Sequence, residues 1–167
     1  TFDAVNNITY DTNTDFFRFG LFSQVSRSFL GERLTPSFGM RIDGNTFTEG
    51  GMNMFDTFSP RLSLAYVAAP RWTINASAGR YFKIPPYTIL GFQDNAGNYL
   101  NQDSEYIQSD HLVAGLEFLP RRSTRITLEG FYKRYDNYPV SVRDGVSLAN
   151  LGGGFEVLGN ENIESVG

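Results

Sequence analysis

Apolar residues fall at every second position along several stretches of this chain. From Leu34 to Asp43, Leu34, Phe38, Met40 and Ile42 alternate with Thr35, Ser37, Gly39, Arg41 and Asp43. Successive side chains of a strand point to opposite faces, so one face is oily and the other wet. The split recurs from Phe58 to Tyr66, where Phe58, Pro60, Leu62, Leu64 and Tyr66 alternate with Ser59, Arg61, Ser63 and Ala65. Trp72, Ile74, Ala76 and Ala78 stand likewise against Thr73, Asn75, Ser77 and Gly79. Two later segments, His111 to Phe118 and Arg125 to Lys133, put Leu112, Ala114, Leu116, Phe118, Ile126, Leu128 and Tyr132 on one side. Opposite them come Gly115, Glu117, Thr127, Glu129 and Lys133. Asp15 to Val25 is less regular, because Phe16 and Phe22 share the face of Arg18, Gly20 and Gln24. It reads as a strand with aromatic residues on both faces, and Val5 to Asp11 is a candidate seventh strand.

The connectors between these segments also alternate. Ser28 to Arg33, Ala68 to Arg71 and Leu119 to Thr124 are short and polar or Pro-containing; Gly44 to Thr57, Ile84 to Asp110 and Asn137 to the end are long. A soluble meander has no physical reason to sort its loops by end of the sheet. A bacterial outer-membrane barrel does, with short periplasmic hairpins and long surface loops. The segments also have about the 9–11 residues that a tilted strand needs to cross the hydrocarbon layer. Tyr66 and Trp72, beside one short turn, suit the headgroup level where amphipathic rings anchor. The fold class expected is all-β, an antiparallel up-and-down meander forming part of a large transmembrane barrel.

Composition sharpens this picture without deciding it. The 167 residues could bury a soluble core. Aromatics at 15% and 17 glycines favour strands and turns over helices. No apolar run approaches a transmembrane helix, but a barrel strand shows none, because half of it faces water. The 14 basic and 18 acidic side chains are scattered, without the basic stripe a phosphate backbone demands, so nucleic acid is not expected as a partner. Zero cysteines leave no disulfide framework or thiolate metal site. No basic and apolar leader opens the sequence at Thr1, so an export signal is expected upstream or already removed. Six or seven strands fall short of the eight in the smallest bacterial barrel. Residues 1–167 are therefore expected to be a partial barrel domain cut from a larger one.

Few residues look chemical. Glu117 and Glu129 share the wet face of neighbouring segments; if Leu116 pairs with Ile126, Glu117 faces Arg125 and Val113 faces Glu129. Charge pairing on a lumen wall accounts for them better than general acid–base catalysis. Arg41 and Arg61 take the same reading, or could contact a domain inside the barrel. His111, the one histidine, is expected at the mouth of its strand, with no second ligand at a metal spacing. Asp94 to Asn98 is rich in oxygen but lacks the spacing and distal Glu of a calcium loop. Gly152, Gly153 and Gly154 have neither the strand nor the helix of a phosphate loop. The most plausible functional surface is the loop from Pro86 to Ser109. It sets Tyr87, Phe92, Tyr99 and Tyr106 among Gln93, Asn95, Asn98, Asn101 and Gln102. Rings cover apolar patches and amides satisfy hydroxyls, so Tyr87, Phe92, Asn95, Asn98, Tyr99 and Tyr106 are candidates to bind a sugar or other polar ligand. The competing expectation is that they pack the loop on its neighbours. No catalytic residue, metal site or cofactor is expected.

Phe58 to Tyr66, FSPRLSLAY, followed by Ser77 to Pro85, SAGRYFKIP, resembles the barrel of TonB-dependent outer-membrane receptors. In order come Gly39 to Asp43, similar to that family's Gly-x-Arg-x-Asp strand end, and His111 to Glu117, similar to its Gly-Leu-Glu strand. Phe131 to Asn137 resembles the aromatic strand that follows, and Asn150–Gly152 with Gly159–Glu161 the next loop. The resemblance implies a 22-stranded barrel in the cell outer membrane with an N-terminal plug domain. It implies active import of a nutrient such as a siderophore, haem, cobalamin, oligosaccharide or peptide. The partners implied are outer-membrane lipid, the plug of the same protein and the TonB complex acting through that plug. The plug and the remaining strands are not expected within these residues. Two other classes fit the alternation alone. One is a soluble β-sandwich binding module, whose oily faces pack on each other. The other is a different outer-membrane barrel, such as a porin, an adhesin or an envelope enzyme.

Overall fold

The computed structural model describes residues 15–94, 96–121, 123–142, 145–150 and 163–166. Val5 to Asp11 and the Gly152–Gly154 run lie outside the described residues. Six strands form one antiparallel sheet in sequence order: β1 (Arg18–Ser26), β2 (Leu34–Asn45), β3 (Ser59–Ala69), β4 (Trp72–Lys83), β5 (Ile107–Arg121) and β6 (Thr124–Asp136). Among the described residues each of these strands pairs only with its sequence neighbours, and β1 and β6 are not joined to each other.

The alternation read from the sequence is the alternation of the sheet. The register places Leu21 beside Ile42, Phe38 beside Leu62, Tyr66 beside Ile74, Ile74 beside Leu116 and Leu116 beside Leu128. One face is thus apolar across all six strands, and nothing among the described residues covers it. Leu62 is 55% exposed and Leu128 72%. The buried apolar side chains are Ile84, Ile89, Leu90, Ile107 and Leu148, all in or beside the long connections. Among the described residues no second sheet packs on the apolar face, as a β-sandwich would require.

The two ends of the sheet differ as the connector lengths predict. At the short-turn end, Pro70 and Arg71 join β3 to β4, and only two positions separate the end of β5 from the start of β6. Arg33 ties neighbouring turns together by donating to the carbonyls of Val67 and Ala68 at 3.1 and 2.9 Å. On the apolar face at this end, Trp72 stacks on Phe118 with centroids 4.2 Å apart, close to Tyr66. This is the girdle position of amphipathic rings.

Four expectations are corrected. β5 runs to Arg121 and β6 restarts at Thr124, so most of Leu119 to Thr124 is strand. A bulge between Phe118 and Arg121 sets the hairpin register, pairing Leu116 with Leu128 rather than Ile126. Glu117 then faces Thr127 and Glu129 faces Gly115, although Glu117 still reaches Arg125 diagonally as an ion pair. His111 sits within β5 rather than at its mouth. After Asp136, Asn137 adopts a positive φ of 59°, a conformation asparagine tolerates. The chain leaves the sheet there and forms β7 (Tyr138–Ser141), paired with β8 (Ile163–Val166). The stretch after Asn137 is therefore not loop alone.

Candidate functional site

The polar face is the one on which the long connections build. Arg18, Asn45 and Ile107 lie on this face by strand alternation, and Asn45 and Ile107 are buried there by loop residues. The short helix α1 (Tyr87–Leu90) packs Ile89 against Ile107 and Leu148, with Tyr138 beside them. Asn45 is the hub. Its side-chain oxygen accepts from the backbone N–H groups of Phe47 and Thr48, both at 2.8 Å. Its amide donates to the Tyr106 hydroxyl at 2.9 Å. One buried amide thereby holds two long loops in a fixed relation, reinforced where the Glu49 N–H donates to the Gln102 carbonyl and the Gln102 amide to that of Phe47.

On this base stands a ring cluster. Phe16 meets Phe47 at 5.4 Å and Tyr87 at 5.3 Å, and Phe47 meets Tyr99 edge-on at 5.1 Å. Arg18 donates to the Tyr87 hydroxyl at 2.9 Å. Of the six loop candidates, the structure brings Tyr87 and Tyr99 into this cluster, and Tyr87 is about half exposed. Tyr106 instead points to Asn45. Phe92 is half-buried at the base of a small turn, its carbonyl accepting from Leu100. Asn98 is exposed and closes that turn. Its backbone and side-chain N–H groups donate to the Asp94 carboxylate at 2.9 and 3.0 Å, and Ala96 adds a third bond at 2.8 Å. The Asp94 carboxylate is held below its ordinary pKa, chiefly by the Asn98 side-chain amide and then by the Asn98 backbone N–H. Asn95 lies outside the described residues.

The polar face below the loops is a wall of small and charged side chains. Four serines, Ser26, Ser37, Ser63 and Ser77, occupy one register row. Ser37, Ser63 and Ser77 border an open depression of ≈ 290 Å³ whose lining includes Thr35, Asn75, Gly115 and Glu129. One step toward the long loops, the row reads Gln24, Gly39, Arg61, Gly79, His111 and Lys133.

A sheet greasy on one face, hydroxyl-lined on the other and sorted by loop length is the wall of a membrane barrel. The family model described as TonB dependent receptor-like, beta-barrel, matches residues 1–166. The chain belongs to this TonB-dependent receptor barrel family. No curated protein matches the sequence. The family is one of outer-membrane transporters rather than enzymes, and it works with a plug domain, TonB and a nutrient cargo. Membership orients the sheet: the apolar face meets lipid, the polar face lines the lumen, and the long loops face outward. The loops of this receptor barrel therefore fold inward over the lumen rather than out over the lipid.

Sequence reasoning missed Phe16, Phe47 and Asn45 as members of the outer assembly. Alternation places Asn45 on the wet face, and a Gly-Asn pair at a strand end is a turn signal. Which ring it would face needed the register of three strands.

Proposed function

We propose that this chain forms part of the cargo-binding wall of an energised importer, with the outer loop assembly as first contact for a polar cargo. The observation that carries the reading is the ring cluster of Phe16, Phe47, Tyr87 and Tyr99, braced by Asn45 and set over the lumen face. Half-exposed rings offer flat apolar surfaces, while Arg18 and the exposed amide-bearing Asn98 loop offer donors nearby. Tyr87, Phe92, Asn95, Asn98 and Tyr99 are the residues of that loop surface we assign to cargo, with Tyr106 as their brace. A siderophore, cobalamin, oligosaccharide or peptide all combine apolar faces with hydrogen-bonding groups.

The test is uptake by cells whose outer membrane carries the full-length receptor, using labelled ferric siderophores, cobalamin and maltooligosaccharides, with and without TonB. Accumulation of one cargo class that needs TonB and falls at least severalfold in the Tyr87→Ala/Tyr99→Ala variant supports the proposal. Uptake indifferent to TonB would mark a passive pore and overturn it.

A further inference from the structure

The outer half of the lumen wall carries a surplus of basic side chains. Arg61 of β3, His111 of β5 and Lys133 of β6 stand in one register row. Neighbouring strands lie about 4.8 Å apart, so these groups span roughly 15 Å of wall. Among the described residues neither Arg61 nor Lys133 has a carboxylate partner, whereas Arg41, Arg80, Arg125 and Arg134 each have one. Counting strand side chains on the lumen face from this row outward, Arg18, Arg41, Arg61, Lys83 and Lys133 stand against Asp43 alone. The whole chain has a formal charge of −4, so this surplus is local.

The row is also built. The Arg61 guanidinium lies over the Tyr81 ring at 4.5 Å, and that ring meets the His111 ring at 4.7 Å. Ser109 is hydrogen-bonded to His111 Nε2 at 2.6 Å. Gly79 makes the stack possible, because a Cβ there would come within 3.2 Å of the Tyr81 ring and hydroxyl and 3.3 Å of Arg61 Cγ. The guanidinium is thus positioned by a ring while its N–H donors are left for an incoming acceptor. Immediately below lies the serine-lined depression, which offers hydroxyls and the Asn75 amide, with the Glu129 carboxylate at its β6 side.

We infer that Arg61 and His111, ordered around Tyr81, form with Lys133 of the same row an anion-binding track on the lumen wall that receives carboxylate, phosphate or catecholate groups of the cargo as it moves inward from the loops. This rests on the importer reading and narrows its cargo to an anionic one. Several cations on a low-dielectric wall focus field on an anion passing between them. The Tyr81 ring holds Arg61 in place before it arrives, and Lys133 rests over the Phe131 ring at 5.4 Å.

The test uses the full-length receptor in detergent, titrated with pyranine, a rigid aromatic trisulfonate, and with maltohexaose as a neutral polyol. Pyranine should bind more weakly as salt rises. The Arg61→Gln/Lys133→Gln variant should lose roughly tenfold or more in pyranine affinity, since each charge-assisted bond is worth about a factor of ten. Maltohexaose binding should not change, and Arg125→Gln, near the short-turn end, should leave pyranine affinity intact. Folding of each variant is checked by heat-modifiable migration. Unchanged pyranine affinity in the double variant would overturn the inference. So would a fall in thermal stability with pyranine affinity intact, which would instead assign the cations to acidic groups of the plug. TonB-dependent uptake of any cargo alongside a negative pyranine result would leave the importer standing and remove only the anionic track.

Discussion

Asn45 shows how much a single side chain decides in this molecule. It is fully buried; its side-chain oxygen accepts from two loop N–H groups and its amide N–H donates to the Tyr106 hydroxyl. Replacing it by alanine leaves the Phe47 and Thr48 N–H groups without their acceptor and removes the tie to Tyr106, so Asn45→Ala should destabilise the loop assembly by about 1–3 kcal/mol. Limited proteolysis should then cut faster within residues 46–56 while the barrel strands stay protected. Asp94 gives a pH signature. Its folded pKa lies below the unfolded value, so it contributes stability above about pH 4 that is lost as pH falls through the lowered value. Hydrogen exchange across residues 92–100, corrected for intrinsic rate, should rise only below that range, and in Asp94→Ala it should be high at neutral pH. At this scale the sequence is only partly legible. It singled out Tyr87, Tyr99 and Tyr106 by residue type, but Tyr106 turns out to brace Asn45. That difference depends on two loops meeting 61 positions apart in the chain.

At the scale of the strand, the alternation was readable because a period of two leaves only two faces, and burial of either would have shown as a change in pattern. Leu64 and Ser63 on β3 make the contrast sharp, since they are neighbours in sequence on opposite faces. Leu64→Arg places a cation in lipid and should cost about 2–4 kcal/mol, whereas Ser63→Arg points into the lumen and should cost far less. Urea titration of the receptor folded into liposomes reads the difference. Pairing register was not readable. A bulge near Arg121 shifts β6 by two residues, which keeps every side chain on its expected face yet changes every cross-strand neighbour. The Arg61–Tyr81–His111 stack depends on two other registers, of β3 with β4 and of β4 with β5, which bring Arg61 and His111 to either side of Gly79. Its dependence on Gly79 is testable: Gly79→Val should displace the Tyr81 ring and weaken pyranine binding in the same direction as loss of Arg61.

At the scale of the molecule, two environments press on one sheet. Hydrophobic side chains that a soluble protein would hide are left open along the full width of β1 to β6, while the buried apolar residues gather under the outer loops. Only a solvent that is itself apolar makes that arrangement stable, and the lumen face, with its serines, amides and unpaired cations, would be costly in the same solvent. The loop sorting visible in the sequence follows from this geometry. Short turns serve the end where the strand merely reverses, and long connections have room to fold inward over the channel at the other. These residues hold no cysteine, so a thiol introduced at each position of β4, with any cysteine elsewhere in the receptor replaced, can carry a spin label. The most direct measurement of the central claim is the collision of such labels with oxygen and with a water-soluble nickel chelate, in the full-length receptor reconstituted in bilayers. The account predicts oxygen access at Ile74, Ala76 and Ala78 and none of that preference at Thr73, Asn75 and Ser77. Equal accessibility of both sets, or chelate access to the apolar set, would contradict a sheet with lipid on one side and a lumen on the other.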